Sequence, residues 1–230
     1  MVLITMKKEK MTLSQKTNTL RAGVLGANDG ILTVVGVLFS VAVATNNKFT
    51  IFIAGLSDLL ACAFSMATGE FASVSSQRDT EKAAVQKERQ RLKTNFDDEV
   101  ANVAQYYVQR GVTPQTADKV AQELMAKQPL QTVVRTKYDL KLGYYLNPWY
   151  ATFTSLFAAA AGGLFPLVAM TCLPSTWRWF GTIIAVSVSI GIAGFLSAKL
   201  GHSNVKTAII RNVIIGLITM AIQYFLGRFI

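Results

Sequence analysis

The sequence predicts an all-α polytopic membrane protein with five transmembrane helices and a small cytosolic three-helix insert. Three observations predict it. Five apolar runs carry almost no charge, in a chain that is 51% hydrophobic and only 16% charged, where a soluble domain carries about 25%. Lys and Arg are distributed unevenly between the two sides that five spans would define. The polar stretch between the second and third runs keeps the 3.6-residue period of amphipathic helices.

The elements follow in order. Residues 1–21 form a polar, basic N-terminal arm without the apolar core of a signal peptide. The first run, 22–45, contains one charge, Asp29, and the second, 49–69, contains one, Asp58. Runs 150–176 and 179–198 contain none. These four reach the roughly 20 apolar residues that a membrane helix needs. The fifth, 212–227, reaches it by starting near Thr207 with Arg211 snorkelling to the interface. The domain reading is an arm at 1–21, spans one and two within 22–75, a module at 76–148, and spans three to five within 149–230.

With the N-terminus in the cytoplasm, twenty Lys/Arg fall inside and three (Lys48, Arg178, Arg228) outside. That is the positive-inside pattern, and it places the C-terminus outside. The arm contributes Lys7, Lys8, Lys10, Lys16 and Arg21. The net charge of +10 is therefore topological. It favours anionic lipid at the inner surface and excludes nucleic acid as the partner. The polar start points to the cell membrane. Cys62 and Cys172 lie within spans and give no disulfide framework.

The module reads as helices. Residues 76–93 lack Gly and Pro, so span two continues as one long helix. Val100, Val103, Ala104 and Tyr107 share a face, with Asn95 or Asp97 as the cap and Gly111 at the end. Thr113 and Pro114 are an N-cap and first helical position, and Ala117, Val120, Ala121 and Leu124 form the next apolar face before Pro129. A third helix is expected over 130–142, stopped by Gly143. Tyr144, Tyr145, Trp149 and Tyr150 mark the return to the interface.

The chemistry concentrates in span two. Asp58, Cys62, Met66 and Glu70 recur every four residues, one above the other on a helix. A charge at bilayer depth is costly and marks a functional site by default. At about 1.5 Å per residue, Asp29 lies about 10 Å from the inner end of span one, and Met66, Cys62 and Asp58 lie about 9, 15 and 21 Å from that of span two. Asp29 is then level with the part of the ladder between Met66 and Cys62. Carboxylates with a thioether suit Fe²⁺, with Mn²⁺, Co²⁺ or Zn²⁺ also compatible, better than Mg²⁺ or Ca²⁺, which take oxygen alone. Carboxylates in an apolar site bind protons as well as cations, which gives a route to metal/proton exchange. Each residue also has a plainer reading. Asp58 can be a helix–helix hydrogen-bonding device, Met66 packing, Cys62 a small buried hydrophobe and Glu70 an interfacial charge. His202, the one histidine, reads as a solvated loop residue.

The same residues carry a family resemblance. Gly26-Ala27-Asn28-Asp29-Gly30, then Gly55-Leu56-Ser57-Asp58, Ser65-Met66-Ala67-Thr68-Gly69-Glu70-Phe71 and Ser75-Ser76-Gln77-Arg78-Asp79 resemble the first two spans and stalk of the vacuolar iron transporter family. Gly163-Leu164-Phe165-Pro166-Leu167 resembles its third. The resemblance covers nearly the whole chain after Leu20, the second-span motif being the specific part. It implies a homodimer that exports Fe²⁺ or Mn²⁺ from the cytoplasm in exchange for protons, with no prosthetic group. Asp29 and Met66 match transport-path residues, and Asp58 falls where some members have Glu. Glu70 would guide access from the inside. Glu88 and Glu99 match metal-binding positions of the family's cytosolic module. This sequence departs from the pattern at Arg91 and Asn102, where further Glu residues are expected, and only Asp139 remains near the third helix, between Lys137 and Lys141.

A competing reading is a membrane scaffold or metal sensor whose cytosolic helices bind a partner. An enzyme is disfavoured, because the sequence offers no Ser–His or Cys–His pairing and no histidine cluster.

Overall fold

The computed structural model describes residues 12–201 and 203–229. Lys7, Lys8, Lys10 and His202 lie outside the described residues. Among the described residues there are eight helices and no strand. Five are long and apolar enough to cross a membrane: α1 (Leu13–Ala44), α2 (Lys48–Thr94), α6 (Pro148–Cys172), α7 (Arg178–Leu200) and α8 (Val205–Phe229). The protein is a multi-pass membrane protein. The remaining helices, α3 (Phe96–Val108), α4 (Pro114–Lys127) and α5 (Pro129–Tyr138), are short. The chain divides into two compact units.

The first unit holds α1, the start of α2 through Val74, and α6–α8. Local chemistry sets its helix ends. Thr12 and Gln15 form a capping box at the start of α1, which begins nine residues before the apolar run. Asn47 Oδ1 accepts from the Phe49 and Thr50 N–H groups at 2.9 and 3.2 Å and opens α2. Asn147 caps α6 through the Trp149 N–H at 3.0 Å, with Pro148 at the first helical position.

Helix α1 is central, packing on α6, α7 and α8. Its Ile31, Val34, Val35 and Leu38 are buried with Ile51 and Leu59 of α2, Met170 of α6, Val186 of α7 and Met220 of α8. The approach to α6 requires glycine. A Cβ on Gly26 would sit 2.6 Å from the Ser155 carbonyl oxygen, and one on Gly30 would overlap the Ala159 carbonyl. Small residues at such crossings let membrane helices approach closely. Here they flank Asp29 and fix the rotation of α1 about its axis. The lipid-facing side of α8 shows the opposite pattern, with Ile210, Ile214, Ile218 and Ile222 exposed one turn apart.

The second unit spans Ser75–Leu146, including the rest of α2. The expected α3 face is the observed one: Val103 and Ala104 are buried, with Val100 and Tyr107 packed against them. On α4 the buried residues are Ala117, Ala121 and Met125, so the face is turned toward Met125, one turn beyond Ala121. Met125 joins Val103 and Val133 in the core, each stabilising by about 1.5–3 kcal/mol relative to exposure. Helix α5 ends at Tyr138, four residues short of the expected Leu142. Asp139 adopts the left-handed conformation (φ 52°, ψ 28°), and the Leu140 N–H turns back to the Val134 carbonyl at 3.4 Å. This is a Schellman-type stop, and Gly143 (φ 82°) serves the following turn instead.

Candidate functional site

Helices α1 and α2 run antiparallel through the short connection at Asn46 and Asn47, which sets a register between polar groups. The Cys62 thiol donates to Asp29 Oδ2 at 3.5 Å. Eight residues further along each helix, Arg21 Nη2 meets Glu70 at 3.1 Å to Oε2 and 3.4 Å to Oε1. One turn the other way, Thr33 donates to the Asp29 backbone carbonyl at 2.9 Å and also interacts with the Asp58 and Cys62 side chains. The two carboxylates lie close enough to interact.

Three of the four α2 residues thus meet a side chain of α1: Asp58 meets Thr33, Cys62 meets Asp29 and Glu70 meets Arg21. Asp29 meets Cys62, at the far limit of the depth range expected for it. Cys62 is buried with Ala63 and Ala159, as a small apolar residue would be, but its sulfur touches Asp29. Met66 is half-buried and packs against that same cluster. Asp58 Oδ2 is buried without a hydrogen-bond partner. Among the described residues neither Asp29 nor Asp58 has an ion-pair partner. A buried acceptor left unpaired costs about 1–3 kcal/mol, and more when charged. Glu70, expected as an interfacial charge, is 7% exposed and paired with Arg21. Sequence reasoning counted Arg21 only as an inside charge and overlooked Thr33. Helical spacing held the signal for both: Thr33 is four residues from Asp29, and Arg21 eight.

In the second unit, Glu88 and Glu99 come together, both buried (0% and 2% exposed). Two cations share them. Lys137 Nζ lies 3.0 Å from Glu88 Oε2 and 2.5 Å from Glu99 Oε2, and Arg91 Nη1 lies 4.0 and 3.9 Å from their other oxygens. The Tyr138 hydroxyl donates to Glu88 Oε1 at 2.7 Å. Burial pushes the Glu88 carboxyl up, but the Tyr138 and Lys137 hydrogen bonds and the Lys137 and Arg91 charges outweigh it and hold it below the ordinary glutamate value. The bond to Glu88 pushes the Tyr138 phenol up, and burial adds to it. Asp139 is exposed and lines a separate cavity with Arg135 and Lys141. Among the described residues, no three His, Cys, Asp or Glu side chains are grouped to hold a metal ion.

A vacuolar iron transporter of Acanthamoeba castellanii is 36% identical over 222 residues, covering 96% of this chain and 82% of that protein. Vacuolar iron transporter homolog 2 of Oryza sativa subsp. japonica is 30% identical over 207 residues, covering 89% and 87%. Vacuolar iron transporter homolog 2.1 of Arabidopsis thaliana is 26% identical over 225 residues, covering 97% and 87%. The VIT family model matches residues 20–228, which takes in Asp29, Asp58 and the helices that follow them. On this match over almost the whole described chain, the protein belongs to the VIT family.

Proposed function

We propose that this chain is a divalent-metal transporter that moves Fe²⁺ or Mn²⁺ out of the cytoplasm, across the cell membrane, in exchange for protons. One observation carries the reading: Asp29 and Asp58 lie near each other on two helices long and apolar enough to cross a membrane, and among the described residues no cation is paired with either. Two carboxylates there need positive charge, and either a divalent ion or protons can supply it. Loading the metal displaces protons and releasing it takes them back, which couples the two fluxes. The relatives named as iron transporters favour Fe²⁺ as the cargo.

The roles follow from position. Asp29 and Asp58 bind the ion. Met66 supplies a soft thioether on the same side of α2, and Cys62 holds Asp29 through its thiol and is a further soft donor. Arg21 and Glu70 sit at the inner end of the site, where release of Glu70 from Arg21 presents a carboxylate to an arriving cation. The inner end is assigned by the twenty Lys/Arg that the positive-inside rule places in the cytoplasm. A homodimer would bring two such sets of ligands together and complete the coordination that one chain begins.

Reconstitution tests the reading. Proteoliposomes loaded with wild-type chain take up Fe²⁺ and Mn²⁺ and move protons the other way, and Asp58→Ala and Asp29→Asn abolish both fluxes. Undiminished metal flux in both variants would overturn the path, and metal flux without proton movement would overturn the exchange.

A further inference from the structure

Arg178 opens α7 at the end of the spanning unit remote from Arg21, about 37 Å away along α1 by helical rise. It is 5% exposed, yet the only hydrogen-bond acceptor its guanidinium reaches among the described residues is a neutral amide, Asn46 Oδ1, at 2.8 Å. Its Nε is buried and has no partner. The sequence denies it an acid nearby: no Asp or Glu follows Asp139, so α6, α7 and α8 contain none. Arginine stays protonated in proteins, and removing an uncompensated charge from water costs several kcal/mol.

The guanidinium forms the polar end of a cavity of about 670 Å³ between α1, α7 and α8. Beyond Arg178 and Asn46 the walls are apolar, running along α8 from Phe225 to Leu217, about 12 Å toward the bilayer centre. Phe39, Trp179 and Tyr224 brace that wall through edge-to-face contacts at 5.2 and 5.8 Å. Trp177 is exposed beside it, as aromatic side chains are at a membrane interface. The cavity is thus cationic at interface level and apolar below.

We propose that this cavity is a binding site for an anionic phospholipid, its phosphate paired with Arg178 and one acyl chain lying between Phe39, Ile183 and Leu217. Guanidinium and phosphate match in geometry and charge, and the phosphate supplies a counter-charge that none of the described residues gives Arg178. The site is separate from the Asp29–Asp58 pair and does not depend on the transport reading.

The test uses the full chain purified in detergent, with phosphatidylglycerol and phosphatidylcholine as probes, read by native mass spectrometry and by Tm. Wild type is expected to retain one phosphatidylglycerol per chain and to gain several degrees in Tm as it is added, with little response to phosphatidylcholine. Arg178→Gln lowers phosphatidylglycerol retention at least tenfold. Ala221→Trp, which fills the apolar part and leaves Arg178 in place, does the same and keeps the test open if Arg178→Gln fails to fold. The proposal is overturned if the two lipids bind equally, or if both variants retain phosphatidylglycerol like wild type. It is overturned equally if inorganic phosphate alone reproduces the Tm gain, or if crosslinking at Ala221→Cys shows a second copy of the chain seated on the cavity.

Discussion

Two pairs of carboxylates, one in each unit, look alike as acidic residues and differ in what surrounds them. Asp29 and Asp58 lie among a thiol, a hydroxyl and a thioether, with no cation paired to them among the described residues. Glu88 and Glu99 enclose Lys137, with Arg91 on their other oxygens. The first pair is left needing positive charge; the second already has it from the chain. On the proposed reading, a metal ion or protons supply it to the first, and a bound cation is redundant for the second. Counting acidic residues does not tell a cargo site from an ion-paired core, whereas locating their counter-charges does.

The comparison is broken most directly at Lys137. Lys137→Met leaves two buried carboxylates facing each other, and losing one partner of a buried ion pair costs about 3–5 kcal/mol. Hydrogen exchange on the full chain is expected to show lost protection in α3 and α5, partly restored by millimolar Mn²⁺; wild type shows no Mn²⁺ effect there. Protection in wild type that rises with Mn²⁺ would show that the module takes metal despite its own cations.

Next in size is Asp58→Ala. Loss of a group that merely orients a metal ligand costs about 10–100-fold, and loss of the ligand is expected to cut Fe²⁺ flux by about a hundredfold or more, with hydrogen exchange in the module unchanged. Cys62→Ala removes one contact to Asp29, worth about 1–3 kcal/mol if a charged partner is left unsatisfied. A severalfold rise in the half-saturating Fe²⁺ concentration is the outcome expected in the same assay, and an unchanged value would return Cys62 to simple packing.

The shallowest effect concerns pH. Because Glu88 is held below its ordinary value of 4.5, the unfolded chain binds more protons there than the folded one. The stabilisation is fully present above that value and is lost as pH falls through the depressed one. Unfolding of the module followed from neutral to acid pH should show this loss, and Glu88→Gln should flatten it.

Much of the fold is legible from particular runs of residues. The charge-free stretch 179–198 can hardly be other than a span, and the absence of Gly and Pro over 76–93 foretells the continuity of α2 into the module. Thr113-Pro114 marks the start of α4. The third module helix was harder to read, because Asp139 rather than Gly143 takes the left-handed position, and aspartate is only an occasional choice there. At the site, periodicity found the ladder Asp58–Cys62–Met66–Glu70, and depth found Asp29. The Asp29–Cys62 contact depends on how far α1 is rotated, and that follows from the Gly26 and Gly30 crossing with α6.

What the sequence determines by itself here is the number of spans and the family motifs, because bilayer solvation acts on each stretch of about 20 residues locally. Tertiary structure decides which charges are compensated. Arg21 reaches Glu70 and Lys137 reaches Glu88 across 49 residues in each case, while Asp58 and Arg178 have no ion-pair partner among the described residues. Coulomb attraction depends on distance and on the dielectric between the groups, and both are set only when helix faces from distant parts of the chain are brought together.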